Sequence, residues 1–340
     1  MPQKLPGADV SHKPRIAVFA LGGTIAMTRG ETGAIAPSLS GAALVAAVPG
    51  LTDVADIAVH SPLQKPGASL TISDILAVAS EVRSALANGA NGAVVVQGTD
   101  TIEETAFLLD CVLETSAPVV VTGAMRGPEA AGADGPANLL ASAIVAASGA
   151  RNTGVLVVLG DTAHAARHVR KGHTARPDAF TSAPFGPLGY VFEGQFRQYL
   201  HRSVGQTLYL DTDTPIPPVA LLQIGLGDDG RMLRHLPEMG FEGAVIAAMG
   251  AGHVPQPIVE ELGILADTIP VVLSSRVATG PVFENTYGFP GSEIDLLKRN
   301  LVPGGSLGPL KARLLLQLGL AAGHNQNTDI QKLFVSWGNA

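Results

Sequence analysis

Short runs of β-branched and other aliphatic residues recur along the chain and predict buried β-strands. Each run is continuously apolar, which is typical of strands covered on both faces in a parallel sheet. In the first half of the chain these runs cover residues 16–21, 93–96, 119–122 and 155–159. Apolar positions at helical spacing lie between them and predict helices over residues 73–86, 102–113 and 138–147. This alternation of strands and helices indicates an α/β fold with a doubly wound sheet.

The pattern breaks near residue 203 and resumes after a turn-rich segment. Residues 211–218 read DTDTPIPP, a composition typical of a linker. Further strands are then predicted over residues 219–224, 244–249 and 271–274, and a closing helix over residues 311–322. We therefore expect a larger N-terminal domain and a smaller C-terminal α/β domain. The predicted segments are a tail at residues 1–14, domains at residues 15–204 and 219–340, and a linker at residues 205–218.

Composition narrows the possible functions. The 340 residues include 22 Lys and Arg against 29 Asp and Glu, a net charge of −7, so nucleic acid is not an expected partner. A single cysteine excludes an internal disulfide framework and a cysteine-rich zinc site. The sequence contains no stretch of ~18 apolar residues uninterrupted by charged residues, Gly or Pro, so no membrane span is predicted. The first 15 residues also lack the apolar core of a signal peptide. We expect a cytoplasmic protein, and the composition gives no sign of a metal or cofactor site.

Charge is also unusually sparse. Charged residues make up 15% of the chain, against about 25% in a typical soluble domain. A surface with so little charge predicts that part of it is buried between subunits.

Glycine and hydroxyl residues follow the predicted strands, at the positions where ligands bind in open α/β sheets. Gly22-Gly23-Thr24 follows the first strand, and Gln97-Gly98-Thr99-Asp100-Thr101 follows the second. Glycine allows a ligand to approach the backbone closely. Two threonine hydroxyls with a carboxylate nearby suit acyl transfer, in which one hydroxyl attacks, a base takes its proton and N–H groups hold the oxyanion.

A purely structural interpretation of the second loop stays open from these residues alone. Thr101 and Glu104 have the spacing of a helix capping box, and Asp100 and Glu103 have it in looser form. Thr or Asp at the start of a helix is most often a cap, and on spacing alone this is the simpler interpretation.

Several motifs, taken together and in this order, resemble those of the bacterial-type L-asparaginases. The resemblance spans roughly residues 15–335, and the number and order of the motifs make it specific. They are LGGTIA (21–26), QGTDTIEETA (97–106), GAMR (123–126), ADGPANL (133–139), GPLG (186–189), SSRV (274–277) and KAR (311–313).

The resemblance implies an α/β homotetramer built from intimate dimers, with active sites between subunits. It implies hydrolysis of L-asparagine, and sometimes glutamine, through a threonine acyl-enzyme. Thr24 matches the nucleophile and Thr99 the second threonine of the family. Asp100 matches the acid that holds the substrate's α-amino group and supports Thr99, and Lys171 matches the lysine of that relay.

Substrate-binding positions follow from the same resemblance. Ser69 matches the serine that binds the substrate carboxylate, although the residues around it differ from the family pattern. Gly23 and Gly98 lie in the two loops where the backbone would approach the substrate.

The sequence also departs from the family pattern. Gln97 stands where the family commonly has histidine, and an asparagine of the C-terminal domain is replaced near Ala251. The mobile loop after the nucleophile usually carries a tyrosine, but residues 27–41 contain none, and Ile35 or a neighbour occupies that region. Glu284 and Glu293 are both candidates for the acid that the neighbouring subunit contributes.

These departures concern substrate recognition and loop closure, so alternative functions stay open. One is a family member with altered or lost turnover that binds or senses an amino-acid ligand. Another is the amide-hydrolysing subunit of a tRNA-dependent amidotransferase, which the acidic balance of the chain disfavours.

Other candidate sites are weaker. His164 and His168 are four residues apart and would share one face of a helix, but no Glu or Cys nearby completes a metal site, so surface or loop positions are expected. Residues 304–308 fit the nucleophile-elbow pattern G-x-S-x-G, but flanking prolines predict a loop before the last helix. Cys111 and Trp337 are predicted to be packing residues.

Overall fold

A computed structural model of the chain describes residues 13–22, 27–29, 35–37, 41–201 and 205–338. The strands of its N-terminal part are β1 (Arg15–Ala20), β2 (Met27–Arg29), β3 (Ile35–Pro37), β4 (Asp56–His60), β5 (Gly92–Val96), β6 (Val119–Thr122), β7 (Val155–Leu159), β8 (Thr162–Ala165), β9 (Arg170–Lys171), β10 (Phe180–Thr181), β11 (Gly189–Phe192) and β12 (Gln195–Gln198). The helices are α1 (Gly41–Ala46), α2 (Leu51–Val54), α3 (Ile72–Ala87), α4 (Ile102–Val112) and α5 (Gly135–Ala147).

Eight of these strands form the central sheet of the larger, N-terminal domain. Their order is β12-β11-β8-β7-β6-β5-β1-β4. Strands β4, β1, β5, β6 and β7 run parallel, whereas β8, β11 and β12 are joined antiparallel at one edge. The fold class is therefore confirmed, while the antiparallel edge was not predicted because its strands are short and alternate in burial.

The sheet is covered on both faces, as the continuously apolar strands predict. Every residue of β5, β6 and β7 is buried. Helices α3 and α4 pack on one face and α5 on the other, each against alternate residues of the same strands. Because neighbouring side chains on a strand point to opposite faces, a strand in this position has no polar side.

The C-terminal domain is built on a four-stranded parallel sheet. Its order is β13-β14-β15-β16. The elements are β13 (Val219–Gln223), β14 (Gly243–Ala248), α6 (Val259–Thr268), β15 (Val271–Ser275), α7 (Glu293–Lys298), β16 (Val302–Pro303), α8 (Pro309–Ala321) and α9 (Asn327–Gly338). Helix α6 covers one face of the sheet. Helices α8 and α9 cover the other, and they share a hydrophobic cluster with α3 and α4 of the N-terminal domain.

The connection between the domains takes part in this shared core. Leu208 and Leu210 are buried, and the Leu208 N–H donates to the carbonyl of Cys111 at 2.8 Å. The exact domain boundaries and the linker at residues 205–218 stay predictions.

Several side-chain predictions have clear outcomes. Cys111 and Trp337 are buried, as expected of packing residues. The G-x-S-x-G segment is a loop, as predicted, although the two-residue strand β16 precedes it.

The histidine prediction needs correction. His164 lies on β8, is buried, and has its Nδ1 2.8 Å from Ser182 Oγ. His168 stacks on Phe185 in the turn after that strand. The two histidines therefore share no helix face, and His164 is not at the surface, because its strand β8 lies inside the sheet between β7 and β11.

Membrane-spanning helices and clusters of metal ligands would each bear on the function. Among the described residues, no helix combines the length and apolar character needed to cross a bilayer. Within the same part of the chain, no three His, Cys, Asp or Glu side chains converge as metal ligands.

Candidate active site

The loop after β5 carries two of the predicted site residues, Thr99 and Asp100. Gly98 precedes a short 3-10 turn at Thr99–Thr101, which leads directly into α4. Thr99 is buried, whereas the Asp100 side chain is 68% exposed. The tight turn thus separates two neighbouring polar residues, one facing inward and one facing solvent.

The capping box predicted at Thr101 is wrong. Thr101 is the N-cap residue of α4, but its side chain makes no capping hydrogen bond. Its hydroxyl donates to the Gly67 carbonyl at 2.9 Å and accepts from Gln97 Nε2 at 3.1 Å. The looser box at Asp100 also fails, because that carboxylate bonds to Lys171 instead. The Thr101 and Asp100 side chains therefore bond to distant parts of the chain instead of capping the start of α4.

The loop that bears Ser69 packs tightly against the ends of β1 and β5. The Lys65 N–H donates to the Leu21 carbonyl at 2.9 Å. A Cβ added at Gly67 would lie 2.8 Å from the Gly98 carbonyl oxygen, closer than real contacts allow. Ser69 ends the short helical turn that begins at Gly67, and it is exposed. This close approach brings the Ser69 loop beside the Thr99 loop.

Lys171 joins the site from a distant part of the chain. It lies on β9, which pairs with β10 in a separate two-stranded sheet. Its Nζ is 2.9 Å from Thr99 Oγ1 and 2.8 Å from Asp100 Oδ1, and its side chain is only 16% exposed. The structure therefore brings together three of the four predicted catalytic residues, and it places Lys171 on the wall of a cavity of about 270 Å³.

Two predicted residues, Gly23 and Thr24, lie outside the described residues. The described chain reaches Gly22, directly after β1, where φ is +105° and an added Cβ would lie 2.7 Å from the Lys65 carbonyl oxygen. Ile35 falls on β3, but its side chain is outside the described part of the structure.

Gln97, which replaces the family's histidine, is fully buried behind the site. Its amide nitrogen donates to the Gly98 carbonyl at 3.2 Å as well as to Thr101. It therefore links the end of β5 to the turn that carries Thr99, which is a structural contribution.

The two candidate glutamates of the C-terminal domain have different surroundings. Glu293 is fully buried and accepts hydrogen bonds from the N–H groups of Thr286 (2.9 Å) and Tyr287 (2.6 Å), with His253 Nε2 at 3.2 Å. Burial acts to raise the pKa of Glu293, but these hydrogen bonds together hold it below its ordinary value. Glu293 thus orders its own loop, whereas Glu284 is exposed and open to a neighbouring molecule.

Comparison with known proteins places these features in a family. Residues 15–203 match the family model "Asparaginase, N-terminal", and residues 218–334 match "Glutaminase/Asparaginase C-terminal domain". A "Probable L-asparaginase" of Deinococcus radiodurans is 36% identical, covering 94% of this chain and 97% of the relative. A "Glutaminase-asparaginase" of Acinetobacter glutaminasificans is 34% identical, covering 95% and 99%.

A solved structure agrees with these sequence comparisons. The crystal structure of a probable cytoplasmic L-asparaginase from Campylobacter jejuni matches with a TM-score of 0.85 and 33% identity, over 95% of this chain and 100% of that one. Fold and comparisons together define an enzyme of the amidohydrolase class. The chain belongs to the asparaginase family.

Sequence reasoning missed two residues that contact the Lys171 segment. Glu103 Oε1 accepts a hydrogen bond from the Lys171 backbone N–H at 3.3 Å. Lys311, from α8, donates to backbone carbonyls just before Lys171. The signal for Lys311 was present, because a lysine among the apolar residues of a core-facing helix needs a buried partner.

Proposed function

We propose that this enzyme hydrolyses the side-chain amide of L-asparagine to L-aspartate and ammonia through an acyl-enzyme on Thr24. The observation that supports the proposal most directly is the contact of Lys171 Nζ with both Thr99 Oγ1 and Asp100 Oδ1. These residues match the family's relay. Thr99 and Asp100 lie in the loop at the carboxyl end of β5, where an open α/β sheet binds its ligand, and Lys171 reaches them from β9.

In the first half of the proposed reaction, Thr24 Oγ attacks the amide carbon and the C–N bond breaks. The nitrogen leaves as ammonia after it takes up the proton that Thr24 loses. In the second half, water adds to the threonyl ester, aspartate leaves and the Thr24 hydroxyl is restored. Backbone N–H groups of the loops containing Gly23 and Gly98 would hold the oxyanion in each half.

The relay has a defined direction of hydrogen bonding. Because the Lys171 ammonium donates to Thr99 Oγ1, the Thr99 hydroxyl proton points away from the lysine and is available to the reacting groups. The Asp100 carboxylate balances the lysine charge. Its exposed position also suits it to accept a hydrogen bond from the substrate's α-ammonium group.

The other residues that would bind the substrate lie outside the cluster of Thr99, Asp100 and Lys171. We assign the substrate carboxylate to Ser69, whose loop is held against Gly98. We assign Glu284 of a neighbouring subunit to the α-ammonium group, which requires the homotetramer of intimate dimers that the family resemblance implies. A cytoplasmic location and the absence of a metal or cofactor belong to the same proposal.

The test is an ammonia-release assay with asparagine, glutamine and other amides. We expect wild-type protein to release ammonia from asparagine, and Thr24→Ala and Thr99→Ala each to lower kcat by about 10³-fold or more. Lys171→Met should lower kcat by about 10²–10⁴-fold, because it removes a proton-relay group.

Thr268→Ala is the matched control, because Thr268 ends α6 and bonds only to the Ile264 carbonyl of its own helix. Ammonia release that survives both threonine substitutions would contradict the proposal. Wild-type protein that binds asparagine by calorimetry but releases no ammonia would instead support the ligand-sensing alternative.

A further inference from the structure

Lys311 is a buried cation in the C-terminal domain that faces the N-terminal domain. It is the third residue of α8, and its side chain is 5% exposed. Its ammonium donates to the carbonyl oxygen of Arg167 at 3.1 Å and to that of Val169. Both carbonyls belong to the turn that joins β8 to β9, and Lys171 follows two residues after Val169.

Keeping this lysine buried is costly to the folded protein. Burial lowers the pKa of Lys311 to about 8, although the charges of Glu103, Glu104 and Asp110 act in the opposite direction. Burial likewise raises the pKa of Glu104 to about 7, with the charge of Glu103 adding to the shift. An apolar side chain of similar length would fill the same space without this cost. The ammonium must therefore contribute through the carbonyl groups that it holds.

A second contact fixes the same segment from the other side. Glu103 lies in the first turn of α4, three residues after Asp100, and accepts from the Lys171 N–H. The Arg170 guanidinium donates to the Ala278 carbonyl of the C-terminal domain. The segment before the Lys171 side chain is thus held by α8, by α4 and by the loop after β15.

We propose that Lys311 is a positioning residue of the active site, which holds the β8–β9 turn so that Lys171 Nζ meets Thr99 and Asp100. This inference rests on the proposed function of Lys171 in amide hydrolysis. Lys311 touches no reacting group itself and acts through two backbone carbonyls. Through it, the C-terminal domain sets the geometry of a relay that otherwise belongs to the N-terminal domain.

The test compares Lys311→Met with a matched variant of the same helix, Gln317→Leu. Gln317 is 4% exposed, and its amide donates to the Pro217 carbonyl at 3.2 Å, away from the Lys171 segment. Both variants lose a buried donor to a carbonyl, so both should be less stable. We expect Lys311→Met to lower kcat for asparagine about 10–100-fold with KM within threefold of wild type, and Gln317→Leu to keep kcat within twofold. Lys311→Arg, which keeps the donors, should recover part of the loss.

A double-variant cycle separates positioning from a general structural effect. On a Lys171→Met background, Lys311→Met should change kcat less than twofold, because the group that it positions is already gone. An equal loss on both backgrounds, or an equal kcat for Lys311→Met and Gln317→Leu, would overturn the inference. If Lys171→Met itself left kcat unchanged, the proposed function would fail instead.

A second pair of variants tests the same inference if Lys311→Met does not fold. Glu103→Met removes the acceptor for the Lys171 N–H from a partly exposed position, and Glu103→Gln retains a carbonyl acceptor there. We expect Glu103→Met to lower kcat at least fivefold more than Glu103→Gln. Equal kcat values for these two variants would contradict positioning of this segment.

Discussion

At the scale of single residues, buried polar side chains of this protein are committed to backbone groups. Thr101 bonds the Gly67 carbonyl, Glu293 accepts from two N–H groups, and Lys311 donates to two carbonyls. Loops without regular structure leave such backbone groups unpaired, and an unpaired buried group is costly. Thr101, predicted as a helix cap, and Glu293, a candidate for the acid contributed by a neighbouring subunit, therefore serve to order loops.

His164 provides a stability prediction at this scale. Burial lowers the pKa of His164 from 6.5 to about 4. Between those pH values the unfolded chain binds a proton that the folded protein does not, so the free energy of unfolding falls as pH falls through this window. We expect this residue to account for about 2 kcal/mol of the loss between pH 7.5 and pH 5.

Urea unfolding of wild type and His164→Asn at the two pH values measures this contribution. The variant should lose less stability on acidification than wild type by about that amount. Thr268→Ala, which removes no titratable group, is the control and should leave the pH dependence unchanged. An unaltered pH dependence in His164→Asn would contradict the prediction.

At the scale of elements, the site is assembled where three loops meet at the carboxyl ends of β1 and β5. The loop ending at Ser69 contacts both strand ends through Lys65 and Gly67. Its other end leads into α3, where Thr71 and Asp74 form a reciprocal capping box. A helix start with a firm cap fixes where the preceding loop ends. The position of Ser69 is thus set by contacts on both sides.

Gly67 tests this arrangement. An alanine there would bring its Cβ to 2.8 Å from the Gly98 carbonyl oxygen, so one of the two loops must shift. We expect Gly67→Ala to raise KM for asparagine about tenfold or more, because the Ser69 and Thr99 loops no longer fit together. Steady-state kinetics measure this, with Gly225→Ala as the control at an open position. An unchanged KM would show that the close approach does not set the substrate site.

At the scale of the whole molecule, the two domains share one hydrophobic core. Trp337 of α9 packs edge-on against Phe107 of α4, with ring centroids 5.3 Å apart. The Arg167 guanidinium lies 4.7 Å from the centre of the same tryptophan ring. These contacts pack side chains of the C-terminal domain directly against the N-terminal domain. Hence a residue of the C-terminal domain such as Lys311 can fix a turn of the N-terminal domain.

The proposed sharing of sites between subunits gives a prediction at this scale. A Glu284→Gln subunit and a Thr24→Ala subunit should each be inactive alone. When they are mixed and allowed to exchange, one of the two sites in each mixed dimer has both native residues. Random pairing should restore about a quarter of wild-type activity. Activity that stays at the level of the separate variants would contradict a site completed by Glu284 of a neighbour.

The fold class could be predicted from the sequence alone, and so could the loops that carry the candidate site residues. Buried strands such as β5 and β7 have no polar side, so their apolar runs were visible without any structure. The glycine and threonine residues that follow them also have a local signature. Such features depend on near neighbours in the chain, and the structure agrees with them.

The tertiary structure was needed to show which distant residues contact those loops, although the family resemblance had already assigned Lys171 to Thr99 and Asp100. Lys171 comes to Thr99 across 72 positions of sequence, and Lys311 reaches Arg167 across 144. The Thr101 hydroxyl donates to the Gly67 carbonyl and does not cap α4. Glu293 turned inward while Glu284 stayed exposed. For Thr101 a long-range partner replaces the local one that the spacing predicted, and sequence spacing does not show which partner is present in the folded chain.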